Sequence, residues 1–107
     1  MNLLIKIMEI NVQFVKLKTN DFLEASVVKE LVKVAKKYKW ILKADVFYKF
    51  EKDPKGKGKI CDIRLSLPGP QIFATSNEKS FEEATDETIN DLLIQLKKYK
   101  GNIKPYI

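Results

Sequence analysis

"KICDIRLSLP", residues 59–68, alternates apolar and polar side chains from Cys61 to Leu67. Cys61, Ile63, Leu65 and Leu67 fall on one side, Asp62, Arg64 and Ser66 on the other. Period-two alternation of this kind marks a strand with one face in the core and one in water. A sheet built from such strands is covered on one face only, so any helices must share that face.

The flanking segments fit the same plan. "ADVFYKFEK" (44–52) reads as a strand that puts Ala44, Val46, Tyr48 and Phe50 on one side. It is joined to residues 59–68 by "DPKGKGK" (53–59), whose Pro, Gly and Lys content suits an exposed hairpin connection. Those lysines suit either contact with RNA or a solvated loop tip. "PGP" (68–70) forces a turn, and "QIFATS" (71–76) returns as a short strand. At the start of the chain, "LLIKIMEINVQFVKL" (3–17) alternates from Ile5 onward, with Ile10, Val12 and Phe14 opposite Glu9, Asn11 and Gln13.

Two segments change to a helical period. From Phe22 to Tyr38 the apolar stripe is Leu23, Val27, Leu31, Val34 (or Ala35) and Tyr38, with Lys29, Lys33, Lys36 and Lys37 largely off it. "TND" (19–21) supplies cap residues, and Asp21 with Glu24 has capping-box spacing; the boundary falls at Thr19, Asn20 or Asp21. Trp40 follows in the turn "KWILKA" and is expected to cover an edge of the core. The second helical segment opens at Ser80, where Ser80 and Glu83 form another capping box. It runs to about Lys100, with Gly101 as a C-cap and Pro105 barring continuation. The expected fold is α+β, β-α-β-β-β-α: a four-stranded sheet with two helices on one face.

Composition bounds the function. The chain has 107 residues, 45% of them apolar, one cysteine and no histidine. That is one domain's worth of core, with no disulfide, no long apolar span and no secretory signal, so cytoplasm is the expected compartment. Without histidine the commonest general base and metal ligand are missing, and Cys61 reads as a buried small hydrophobe. No enzyme, cofactor, metal site, small-molecule substrate or membrane partner is expected. The net charge is +6, from nineteen lysines and one arginine against fourteen acids. Lysine acts as a point charge, better suited to holding phosphates than to reading base edges.

Charge is also sorted along each helix. Glu82, Glu83, Asp86 and Glu87 open the last helix, while Lys97, Lys98 and Lys100 close it. Both groups complement the helix dipole, which explains that arrangement without any ligand. It does not explain Lys29, Lys33, Lys36 and Lys37, whose i, i+4, i+7, i+8 spacing gathers like charges on one face. If both helices pack on one side of the sheet, these lysines form a cationic surface suited to a phosphate backbone. The competing reading is a protein-interaction module, weakly self-associating, that uses a Leu93/Ile94 patch or the open sheet face (Asp62, Arg64, Ser66), with the lysines serving solubility.

"KSFEEATDETINDLLIQLKKYKG" (79–101) closely resembles the end of the ribosome hibernation-promoting factor family, also known as ribosome-associated inhibitor or protein Y. The match is carried by Ser80, Ala84, Asp86, Gln95, Leu96, Lys98 and Lys100. "KYKWILKADVFYKFEK" (37–52) and "LSLPGPQIFA" (65–74) resemble its middle, and the likeness covers about Met8 to Lys104. The resemblance implies a domain like a double-stranded-RNA-binding domain. It also implies a small-ribosomal-subunit partner, with basic helices facing ribosomal RNA where messenger and transfer RNA would lie, and inhibition by occupancy without chemistry. Lys33, Lys98 and Lys100 coincide with basic positions of the family; Lys29, Lys36, Lys37 and Lys97 rest on helical spacing. Asp91, Ile94 and Glu30 depart from the family's basic pattern. The whole chain, 1–107, is read as a short-form member, with 101–107 as a tail. Residues 1–7 either extend the first strand or precede a start at Met8.

Overall fold

The computed structural model describes residues 8–102, with side chains as far as Tyr99. Expectations that rest on residues 1–7, on 103–107 or on the side chain of Lys100 lie outside the described residues. The elements run β1 (Glu9–Phe14), α1 (Asp21–Lys37), β2 (Lys43–Phe50), β3 (Lys59–Ser66), β4 (Gln71–Glu78) and α2 (Phe81–Asn102). The sheet order is β1-β2-β3-β4. β1 pairs parallel with β2, which requires a long crossover, and α1 supplies it. The other pairs are antiparallel and closed by local turns.

Register follows the alternation. Val46 stands opposite Val12 and Ile63, and Ile63 opposite Ala74, so one row of inward residues crosses the whole sheet. Leu23, Val27, Leu31, Val34 and Tyr38 of the first helical segment join Ala84, Ile89, Leu92 and Leu96 of α2 in one core cluster over that face. Each fully buried Leu or Val contributes roughly 1.5–3 kcal/mol. Polar latches align α2 on the sheet. Tyr48 Oη and Thr85 Oγ1 are 2.6 Å apart, and the Thr88 hydroxyl donates to the Cys61 carbonyl at 3.0 Å. Among the described residues no buried side-chain nitrogen or oxygen lacks a partner.

Four details differ from expectation or refine it. Asn20 caps α1, its Oδ1 accepting from Leu23 N at 3.0 Å, so Glu24 stands one place too late to close a box. At α2, Ser80 Oγ accepts from the Glu83 amide at 3.1 Å, as its spacing predicts. Phe50, expected beside Tyr48 in the core, is half-exposed. Tyr48 already meets the first turn of α2 through Phe81 and Thr85, and Phe50 stands one inward position further along β2. The Phe50 ring takes the Lys59 ammonium at 5.4 Å instead. Finally, α2 passes through Gly101 to Asn102, since a glycine weakens a helix interior by about 1 kcal/mol without ending it.

The hairpin between β2 and β3 is closed by a Glu51 N to Gly58 O bond of 2.9 Å. Gly58 has φ +130°, and a side chain there would run into the Glu51 carbonyl. Its lysines are partly committed to the fold: Lys57 pairs with Glu78 at 3.6 Å, and Lys59 covers Phe50.

Candidate nucleic-acid interface

The two helices run in the same direction. α1 leaves the Phe14 end of β1 and finishes at Tyr38, just before β2 begins. α2 starts where Phe81 meets Tyr48, near the end of β2, and returns to where Tyr99 meets Trp40. Tyr38, Trp40 and Tyr99 form a chain of rings with centroids 5.7 and 5.5 Å apart, joining the C-terminal ends of both helices. Trp40 thus covers the core edge, as its position in sequence suggests.

That junction gathers cations from distant parts of the chain. Lys36 and Lys37 occupy the last turn of α1, and Lys97 and Lys98 immediately precede Tyr99; all four side chains are exposed. Lys37 sits 5.6 Å from the Tyr38 ring centre. Exposed Lys39, which the spacing argument omits because it follows the helix, adds to the same end. Lys29 and Lys33 are also exposed, one to two turns back along α1. Lys33 lies 3.6 Å from Glu30; among the described residues Lys29, Lys36, Lys37, Lys97 and Lys98 take no ion pair. The helix ends favour such charges by about 0.3–1 kcal/mol each at a solvent-exposed surface.

The lysines of α2 do not share one line. Lys97 continues the flank Ile89–Leu93, on the side where Thr85 bonds Tyr48 of β2. Lys98, three residues past Gln95, leans toward the β4 edge. Gln95 Nε2 donates to the Phe73 carbonyl at 2.9 Å and to Asp91 Oδ1 at 3.4 Å. Asp91 therefore steadies the glutamine that bonds the Phe73 carbonyl of β4. Sequence pattern alone carries no signal of this bond. The Leu93/Ile94 pair separates: Leu93 packs against the core, and Ile94 is 51% exposed.

The opposite end of α2 is acidic. Glu78, Glu83, Asp86, Glu87 and Asn90 line an open hollow there. The Glu87 carboxyl is raised above the usual carboxylate range, chiefly by its hydrogen bond with Glu78.

The open sheet face is charged but neutralised. Asp45 meets Lys43 and Arg64, each at 3.8 Å, and Asp62 holds Lys49 at 2.9 Å and the Thr75 hydroxyl. The hydrogen bond to Asp62 raises the Lys49 pKa. Asp62, outward-facing as its alternation requires, is only 9% exposed under these partners. On the inner face Cys61 is fully buried and its thiol is pushed up to about 11, mainly by burial. Among the described residues no three His, Cys, Asp or Glu side chains gather to hold a metal, and no helix is long and apolar enough to cross a membrane.

The sequence matches the family described as Sigma 54 modulation protein / S30EA ribosomal protein over residues 10–104. The fold is similar to that of a ribosomal subunit interface protein from Coxiella burnetii, with a TM-score of 0.79 and 24% identity over 89% of this chain and 100% of that one. It is also similar to the Thermus thermophilus Protein Y N-terminal domain, with a TM-score of 0.73 and 21% identity over 86% and 99% of the two chains. None of the curated proteins compared with it matches. At such identities the two structures establish a shared fold.

Proposed function

Because the chain belongs to the Sigma 54 modulation protein / S30EA ribosomal protein family, which is ribosome-associated, we propose that it idles ribosomes by occupying the small subunit. The seat is the channel of messenger and transfer RNA, and the contacts are phosphates of ribosomal RNA. The observation that carries this reading is the junction Tyr38–Trp40–Tyr99, which joins the basic ends of two parallel helices. Lys36, Lys37, Lys97 and Lys98 bind phosphates there, Lys29 and Lys33 extend the contact along α1, and Lys100 joins them by its place in the sequence. Inhibition is by occupancy, without chemistry, and the one thiol is buried and protonated. The interaction-module reading loses its wider patch, because Leu93 is spent on the core and Ile94 stands alone.

The test is sedimentation of the protein with purified small subunits, with and without transfer RNA, across a salt series. With on the order of six phosphate contacts, affinity falls about a thousandfold between 50 and 200 mM salt. Transfer RNA displaces the protein. Binding that ignores both salt and transfer RNA sinks the proposal.

A further inference from the structure

Phe22 is the most exposed large apolar side chain among the described residues, at 79%. The other exposed phenylalanines lie on the sheet beside cations: Phe50 under Lys59, and Phe73 paired across the strands with Arg64. Phe22 has no aromatic or cationic partner among the described residues. Its place on α1 is specific. Lys29 and Lys36 follow it at seven-residue steps, a spacing that drifts only about 20° per step around a helix. The three therefore form one row on the outer surface, each step on the order of 10 Å long. Ala25 and Ser26, the neighbours at i+3 and i+4, are short and exposed, so the ring is left uncovered. Asp21 and Glu24 of the first turn project roughly 100° and 160° away from this row.

We propose that Phe22 is a stacking platform for an unpaired RNA base, with the same strand running along α1 so that its phosphates meet Lys29, Lys33 and Lys36. An apolar ring in line with exposed cations suits single-stranded RNA, whose bases stack on aromatics while its backbone follows a positive track. A paired A-form helix keeps its bases stacked internally and offers the ring nothing. A lipid surface is the poorer fit. The apolar stripe of α1 is buried in the core, which leaves one phenylalanine where an interfacial helix presents a whole face. The inference rests on the ribosomal-RNA reading and adds to it a base contact at a position outside the lysine set.

The test titrates the full chain with a single-stranded oligoadenylate, with an A·U duplex of equal length and with purified small subunits. Phe22→Ala is expected to weaken binding to the single strand and to the subunit about tenfold to a hundredfold, with the salt slope unchanged and the duplex unaffected. Phe22→Trp retains binding. Lys29→Ala, by contrast, lowers the salt slope by about 0.7–0.9 on single strand and duplex alike. A Phe22→Ala protein that binds the single strand like its parent overturns the inference. So does an equal loss on the duplex, or a loss confined to anionic lipid vesicles. If the parent binds subunits with steep salt dependence while Phe22→Ala changes nothing, only the stacking role falls. If the parent binds no RNA at all, the functional reading falls with it.

Discussion

The two faces of this protein use their cations in opposite ways. On the open sheet face Lys43, Lys49 and Arg64 are spent on Asp45 and Asp62, which lie almost out of water. On the helical layer Lys29, Lys36, Lys37, Lys97 and Lys98 are exposed and, among the described residues, unpaired. A cation held by a carboxylate gains little from a phosphate, since the pair must first be broken. A free one gains the full contact and releases condensed counterions from the nucleic acid. The sheet charges accordingly belong to the fold, and the helix charges are available to a partner.

The harshest way to break that division is to reverse Lys36, Lys37, Lys97 and Lys98 together to Glu. Co-sedimentation with small subunits should fall by more than about a thousandfold in a protein that still folds but melts at a lower temperature, since each reversal also sets an acid at a helix end where a cation is favoured by about 0.3–1 kcal/mol. A variant that still binds, or one that unfolds, removes the distinction.

The mirror-image change is Asp62→Ala, which strands Lys49 and the Thr75 hydroxyl. It should cost about 1–3 kcal/mol in denaturant unfolding and leave ribosome binding intact. Weakened binding in a fully folded Asp62→Ala protein would move the interface to the sheet.

A subtler probe reads the inner face of the sheet by pH. Burial raises the Cys61 thiol to about 11, so the unfolded chain, with a thiol near 8.5, ionises first as pH rises. This contribution is complete below about 8.5 and is lost between roughly 8.5 and 11, by at most about 1.4 kcal/mol per pH unit. Comparing the parent with Cys61→Ala isolates it, and the native thiol should stay inert to thiol reagents at neutral pH. Rapid native labelling would show that the core over β3 opens.

The smallest expected effect is at Ile94. Ile94→Glu should alter stability by less than about 0.5 kcal/mol and leave the solution mass unchanged over a concentration series. A concentration-dependent dimer abolished by this change would restore the interaction-module reading.

Much of this was legible in the chain because it is encoded locally. The alternation from Cys61 to Leu67 names the buried face of β3, and the Leu23–Val27–Leu31–Val34 stripe names that of α1; both lie in the core. Ser80 announces the start of α2 through a bond only three residues long. Where local pattern erred, a distant partner had decided the matter. Phe50 alternates correctly but stands one inward position past the contact of Tyr48 with α2, and Leu93 and Ile94, neighbours in sequence, part at the edge of the core.

By itself the sequence determined the order of elements, the faces they bury and the excess of lysine over acid, since each depends on residue type and near neighbours. Only the tertiary structure decided that α1 and α2 run in the same direction, so that Trp40 meets Tyr99 and two basic ends become one. It also decided which cations are spent on Asp45 and Asp62. Those outcomes depend on contacts between residues far apart in the chain, whose geometry is set by packing against a shared sheet and by no periodicity within either helix.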